Sequence, residues 1–272
     1  MTRFAANLSM MFTEVPFLER FAAAADAGFS GVEYLFPYAY DAAELADALR
    51  RNGLEQALFN APPGDWDAGE RGIAALAGRD EEFAEGIARA LHYATALDCP
   101  RIHVMAGTAR ADYAAARDRF VERVRVAADA AAASGRTIML EPINPIDMPG
   151  YLLNDVSLAC ELIERIDRAN VRLQLDLYHA QIIAGDLTRL IRRTAPLIGH
   201  VQIASVPDRA EPDGGELALG HLLAELDSAG YDGWVGCEYR PAGDTRAGLG
   251  WLDHFTDAHP RPAAEHPIGG RS

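Results

Sequence analysis

The 272-residue sequence contains no lysine: all 25 of its basic side chains are arginines, set against 40 acidic ones, for a formal net charge of -15. Without a lysine ammonium there is no side-chain Schiff base, no lysine-bound pyridoxal phosphate and no P-loop, whose lysine reaches the phosphates. The shortage of positive charge also speaks against a nucleic-acid partner, because that affinity rests on releasing counterions to a basic surface. Cysteine is scarce too. Cys99, Cys160 and Cys237 lie far apart with no C-x-x-C spacing, which suits neither a disulfide framework nor a zinc site and fits a reducing compartment. No apolar run reaches the length of a membrane span, and the residues from Met1 to Asn7 are too polar for a signal peptide. The expectation is a soluble cytoplasmic protein with neither nucleic acid nor membrane among its partners.

What is present is a regular beat. Short apolar runs rich in β-branched or aromatic residues, at 4–8, 31–36, 55–60, 101–105, 137–141, 172–176, 200–204 and 234–238, read as strands. Helical patterns over 16–21, 42–51, 81–97, 113–134, 155–166, 182–194 and 217–229 lie between them, several ending in a glycine suited to a left-handed cap. Strict alternation means parallel strands joined by helical crossovers, and eight units in about 250 residues is the size at which such a sheet closes. A (β/α)8 TIM barrel follows, as one domain over residues 1–258, with a loose tail at 259–272 that carries His259 and His266. An open doubly wound sheet is the competitor. Its dinucleotide-binding form wants a G-x-G-x-x-G turn after the first strand, where Ser9-Met10-Met11-Phe12-Thr13 stands instead.

In a closed parallel barrel the reactive groups gather at the C-terminal ends of the strands. The fifth strand ends in Glu141, the sixth in Asp176 and the eighth in Glu238, while the seventh carries Gln202. The intervals of 35 (141 to 176), 26 (176 to 202) and 36 (202 to 238) residues each correspond to about one strand–helix unit. All four side chains are therefore expected in one mouth. Three carboxylates there repel one another unless a cation sits among them, and an all-oxygen set with one amide suits Mg²⁺ or Mn²⁺ better than zinc. A cation holding both oxygens of an α-hydroxycarbonyl acidifies the hydrogen between them and stabilises the resulting enediolate. Glu141 and Glu238, three strands apart around the ring, are placed to remove a proton from one carbon and return one to its neighbour. Such chemistry is an aldose–ketose type isomerisation.

The motifs around these residues are Glu141-Pro142-Ile143-Asn144, Asp147-Met148-Pro149-Gly150-Tyr151, Gln174-Leu175-Asp176-Leu177-Tyr178-His179, Gly199-His200-Val201-Gln202-Ile203-Ala204 with Pro207-Asp208-Arg209, and Gly230-Tyr231-Asp232-Gly233-Trp234-Val235-Gly236-Cys237-Glu238-Tyr239. Together with Asn60-Ala61-Pro62-Pro63-Gly64-Asp65-Trp66 and Gly69-Glu70-Arg71-Gly72, they resemble the hydroxypyruvate isomerase family of xylose-isomerase-like barrels, over nearly the whole chain to about Trp251. The resemblance implies a metal-dependent isomerase converting hydroxypyruvate to 2-hydroxy-3-oxopropanoate. It matches Glu141, Asp176, Gln202 and Glu238 to the divalent-metal ligands, and Glu141 and Glu238 to the acid/base pair. Related sugar epimerases commonly carry a histidine where Gln202 stands, a departure that favours a harder cation. Larger xylose isomerases shift a hydride with two metals and a lysine; without lysine, proton transfer through an enediolate is the expectation here.

An anionic substrate entering so acidic a protein needs local positive charge, and Arg209 and Arg71 are the candidate carboxylate grips. His179 resembles the family's substrate-contacting histidine. Asn60 and His103 are further candidates for the mouth, with hydrogen-bonded packing as the competing role. Trp66 is a candidate lid residue, and Cys237 is expected to face outward. The partner expected is a small 2-oxo acid or ketose, with self-association into a homo-oligomer left open. Rival readings are isomerisation of a longer 2-oxo acid such as a 2-oxo-tetronate or of a free sugar, an inosose-dehydratase-like lyase, a multi-zinc endonuclease opposed by the charge, and a barrel with a vestigial site.

Overall fold

The computed structural model describes residues 2–109 and 112–255. Eight parallel strands close into a barrel in sequence order: β1 Arg3–Asn7, β2 Gly31–Tyr34, β3 Glu55–Asn60, β4 Arg101–His103, β5 Thr137–Leu140, β6 Val171–Asp176, β7 Ile198–Ile203 and β8 Trp234–Cys237. Pairing of β1 with β8, Arg3 opposite Trp234, completes the ring. Every expected strand is present, because an apolar run short enough for one crossing and bounded by helical pattern has few other ways to bury itself. The expected tail at 259–272, with His259 and His266, lies outside the described residues.

The outer layer contains α1 Arg20–Asp26, α2 Ala42–Asn52, α3 Asp80–Ala96, α4 Tyr113–Ala132, α5 Val156–Ile166, α6 Leu177–Ile183, α7 Leu187–Thr194 and α8 Leu219–Ser228. Local chemistry sets several ends: the Asp41 and Asp155 side chains accept from the Ala43 and Leu158 amides to start α2 and α5. The single helix expected over 182–194 is instead two. α6 begins directly on the strand, with Asp176 Oδ1 accepting from the Tyr178 amide at 2.9 Å. It stops where Gly185 and Asp186 take left-handed φ of 61° and 45°. After β8 the chain forms a 3-10 helix, Ala247–His254.

Strand alternation sends Cys237 outward into the helix-facing core, where it is buried. The barrel axis, by contrast, carries a polar layer. Glu33, fully buried in β2, accepts from Asn7 Nδ2 (3.0 Å), His200 Nε2 (2.7 Å) and Gln202 Nε2 (2.7 Å), and Gln174 Nε2 donates to Gln202 Oε1 (2.7 Å). Gly236 makes room for this carboxylate, since a Cβ there would lie 2.2 Å from Glu33 Oε2. Cross-barrel hydrogen bonds thus do the packing that branched apolar layers do in other barrels, and they form the floor beneath the mouth.

Candidate active site

The C-terminal mouth opens into a cavity of about 360 Å³ whose wall includes Glu141, Glu238, His179 and Arg209. Asn60, His103, Arg71 and Trp66 also face it. Asp176 and Gln202 lie beneath that wall, level with each other in the β6–β7 register. Asp176 keeps Oδ2 for the mouth while Oδ1 caps α6. Gln202 has both amide atoms engaged in the axial layer, Nε2 by Glu33 and Oε1 by Gln174; the second lone pair of Oε1 is left over.

Arg209 is the hub. In the loop after β7, with a left-handed φ of 52°, it directs Nη2 to Glu238 Oε2 at 3.2 Å and Asp176 Oδ2 at 3.4 Å. Its Nη1 lies 3.7 Å from Asp147 Oδ2, and the guanidinium sits 4.9 Å over the Tyr178 ring. The fork expected to grip a substrate carboxylate is thus already engaged by the protein's own acids. Arg71 is placed differently: it stacks 3.9 Å over Trp66 and donates to the Trp66 and Glu70 carbonyls. Trp66 in turn meets Phe36 edge-on at 5.1 Å. Together they form one rim of the mouth.

Burial dominates the electrostatics. It pushes Glu238 up to about 8 and Asp176 to about 6, in each case against the opposing pull of Arg209. Glu141 is pushed well above the usual carboxylate range by burial and then by the neighbouring charges of Glu238 and Asp176. Burial works against the Arg209 charge, but the acids around it, Glu238 first, outweigh it and raise its pKa. His179 is held well below its ordinary value by burial and then by Arg209, and His103 is lowered to about 3 by burial. Both shifts favour the uncharged imidazole.

Glu141 Oε1 is buried without a hydrogen-bond partner among the described residues. His103 Nδ1 stands 3.5 Å from the other oxygen, Oε2. An unpartnered carboxylate oxygen among further acids is an unfavourable arrangement that a cation resolves. Carboxylate oxygens of Glu141 and Asp176 lie within 4.8 Å of each other, with a His179 ring nitrogen inside the same span, so the two acids fit a metal ion.

Two residues at or under the mouth escape the sequence reading. Glu33 was visible as a lone acid inside the apolar run Gly31-Val32-Glu33-Tyr34, but inspection of strand ends alone passes over it. Arg240 faces the cavity two residues beyond Glu238 and left no distinguishing signal.

Comparison with known proteins agrees with this architecture. The family model for the xylose isomerase-like TIM barrel matches residues 21–255. The chain is 55% identical over 257 residues to a 2-oxo-tetronate isomerase of Cupriavidus necator, covering 94% of this chain and 99% of that one. It is 44% identical over 257 residues to the hydroxypyruvate isomerase of Escherichia coli, covering 94% and 100%. A crystal structure described as an AP endonuclease, family 2, from Brucella melitensis superposes with a TM-score of 0.93 at 55% identity, over 94% of this chain and 99% of that one. The chain belongs to the xylose isomerase-like TIM barrel family, as a near-full-length relative of its 2-oxo-tetronate and hydroxypyruvate isomerases.

Proposed function

We propose that the protein is a divalent-cation-dependent isomerase of a short 2-oxo acid, moving the carbonyl to the adjacent hydroxyl-bearing carbon. The observation that carries this reading is the placement of Glu141 and Glu238 on one cavity wall, with Asp176 beneath and Arg209 bridging Asp176 to Glu238. Glu141, Asp176, Gln202 and Glu238 would hold the ion, and this all-oxygen set favours Mg²⁺ or Mn²⁺. Bound there, the ion would supply Lewis-acid stabilisation of negative charge on the substrate oxygens.

The remaining chemistry belongs to the side chains. One glutamate takes the proton from the hydroxyl-bearing carbon, giving an enediolate. The other returns a proton to the former carbonyl carbon, and the hydroxyl proton passes to the neighbouring oxygen, so the product differs only in the carbonyl's position. Roles exchange in the reverse direction. His179 offers a neutral ring to a substrate oxygen, and Arg71 and Arg240 supply positive charge at the rim for the carboxylate. Asn60 and His103 complete the polar wall. Trp66 covers the cavity and limits water access.

Among substrates, the four-carbon 2-oxo-tetronate comes first, because the relatives bearing that name reach 55% and 51% identity. Hydroxypyruvate, one carbon shorter, is the second reading and has the Escherichia coli relative at 44% behind it. Nuclease activity is disfavoured by the net charge of -15. The cytoplasm is the proposed compartment, in keeping with three free thiols; among the described residues no helix is long and apolar enough to cross a membrane. The deciding experiment is a substrate panel of 2-oxo-tetronate, hydroxypyruvate and small ketoses, run with the chelated and the Mn²⁺-supplemented protein and with product identification. Turnover of a 2-oxo acid only with metal supports the reading, and turnover of free ketoses alone contradicts it.

A further inference from the structure

We propose that Asn144 is a positioning residue that locks His179 with its proton on Nε2, making this histidine a hydrogen-bond donor to substrate and keeping it out of the metal's ligand set. The assignment follows from hydrogen-bond accounting around two fully buried side chains. Asn144 lies in the loop after β5. Its Oδ1 accepts from the Ile146 amide at 3.0 Å and the Asp147 amide at 2.9 Å. Those two backbone donors fix which end of the carboxamide is oxygen, since reversing it would set amide N–H against amide N–H.

The Nδ2 end then faces His179 Nδ1 at 2.7 Å, and the Asn144 backbone N–H approaches the same nitrogen at 3.4 Å. Two donors converge on Nδ1. Arg209 Nη2, also a donor only, approaches Nε2 at 3.3 Å, but a ring with one proton accepts at one nitrogen only. The 2.7 Å contact from a fixed carboxamide makes that nitrogen Nδ1, while the Arg209 N–H groups have Glu238 Oε2 and Asp176 Oδ2 as acceptors. The ring proton therefore stands on Nε2. A protonated Nε2 has no lone pair for a metal. Although Nε2 lies 3.6 Å from Asp176 Oδ2 and 3.7 Å from Glu141 Oε1, close enough to share an ion with them, His179 cannot ligate in this tautomer.

What it can do is donate. Both carboxylate distances are longer than a good hydrogen bond, so the Nε2–H is uncommitted. In this tautomer Arg209 Nη2, 3.3 Å away, sets a second N–H against it. Two N–H donors thus crowd one another without an acceptor between them, beside the unpartnered Glu141 Oε1. A substrate oxygen that gains negative charge in the enediolate would accept from both, the arrangement of an oxyanion hole. The same lock removes an imidazole nitrogen from the metal's surroundings, the donor type that would turn the selectivity toward zinc. The donor role rests on the proposed isomerisation; the tautomer does not.

The test is a long-range ¹H–¹⁵N spectrum of the metal-free protein labelled with ¹⁵N-histidine, with His179 assigned by its loss in H179Q. The expected result is one neutral ring with a pyrrole-type Nε2 and a pyridine-type Nδ1. Asn144→Asp keeps the acceptor for Ile146 and Asp147 but presents an oxygen to Nδ1. It should move the proton to Nδ1, lower kcat/KM by about 10²–10³ as expected for a lost oxyanion donor, and raise affinity for Zn²⁺ relative to Mg²⁺ at least roughly tenfold, the scale of ligand-shell changes. A wild-type spectrum with the proton on Nδ1 overturns the proposal, as does an Asn144→Asp protein whose His179 stays protonated on Nε2 alone. A shifted proton with unchanged kcat/KM overturns the donor role while leaving the isomerase reading intact; absence of turnover in the parent enzyme fails that reading and leaves the spectrum to decide the lock. The wild-type spectrum decides it even if the variant does not fold.

Discussion

Replacing Glu33 with leucine tests whether the axial polar layer holds the barrel together. The carboxylate accepts three hydrogen bonds, from Asn7, His200 and Gln202, in a space closed to water. Leucine fills a similar volume but leaves three buried donors without an acceptor, at about 1–3 kcal/mol each. Removing a buried charge returns part of that, and breaking a buried network from one side costs about 3–5 kcal/mol net. For a domain of this size 1 kcal/mol moves Tm by roughly 2–4 °C, so Glu33→Leu should melt on the order of 6–20 °C below the parent. Glu33→Gln provides the internal control. Its oxygen still accepts from Asn7 and Gln202, while its amide faces His200 Nε2, which can accept only if the ring proton moves to Nδ1. That nitrogen has no partner among the described residues, so one orphaned donor remains and the loss should be about 1–3 kcal/mol. Circular dichroism melts with chelator present separate this from any effect of bound metal. A leucine variant melting within about 2 °C of the parent, well short of the roughly 6 °C expected at least, or glutamine costing as much as leucine, would refute the network's role.

Three further outcomes follow from the mouth. Because burial raises Glu238 to about 8 and Asp176 to about 6, the folded metal-free protein holds protons that the unfolded chain loses near pH 4, so its stability should fall as pH rises from about 4 to about 8. A bound cation removes that penalty; the Tm gap between Mn²⁺-loaded and chelated protein should widen from pH 5 to pH 8, and a constant gap contradicts the shifts. Arg209→Gln, which removes a guanidinium N–H beside His179 along with the counter-charge shared by Glu238 and Asp176, should lower kcat/KM by about 10²–10³-fold, the loss expected for a donor to developing negative charge. Arg209→Lys should recover only part, lacking a fork to span both acids, and full recovery would show that charge alone suffices. Trp66→Ala removes the surface on which Arg71 stacks and should raise KM about fivefold with a smaller change in kcat, from a cation–π contact of about 1 kcal/mol; an unchanged KM removes the rim from substrate binding.

Legibility in the sequence divides along the range of the interactions. The strands and most helices were visible because each is coded by its own periodicity. Glu141, Asp176 and Glu238 were visible because closure of the ring brings strand ends together whatever the details. The division of α6 from α7 was not, since Gly185-Asp186 sits inside a pattern that remains helical on both sides, and Asp176 both closes β6 and starts α6, two roles that its sequence context does not separate. Glu33 was hidden for a different reason: its acceptors' worth depends on donors 26, 167 and 169 residues away. The engagement of Arg209 with the protein's own acids, and of Asn144 with His179 across 35 residues, are likewise products of loops that only the closed barrel brings together. Gln202 was legible as a residue of the mouth's level, but its commitment to Glu33 and Gln174 was not.

The central claim is that Glu141 and Glu238 relay protons across an enediolate with a divalent cation's help, and exchange with solvent deuterium tests it most directly. In D₂O, chelated protein should neither turn over a 2-oxo-tetronate nor place deuterium on its carbons, and Mn²⁺ or Mg²⁺ should restore both. Glu238→Gln with metal should lose turnover while retaining at most the exchange that Glu141 alone can catalyse at one carbon. Exchange and turnover at the parental rate in that variant, or activity untouched by thorough chelation, would contradict the account.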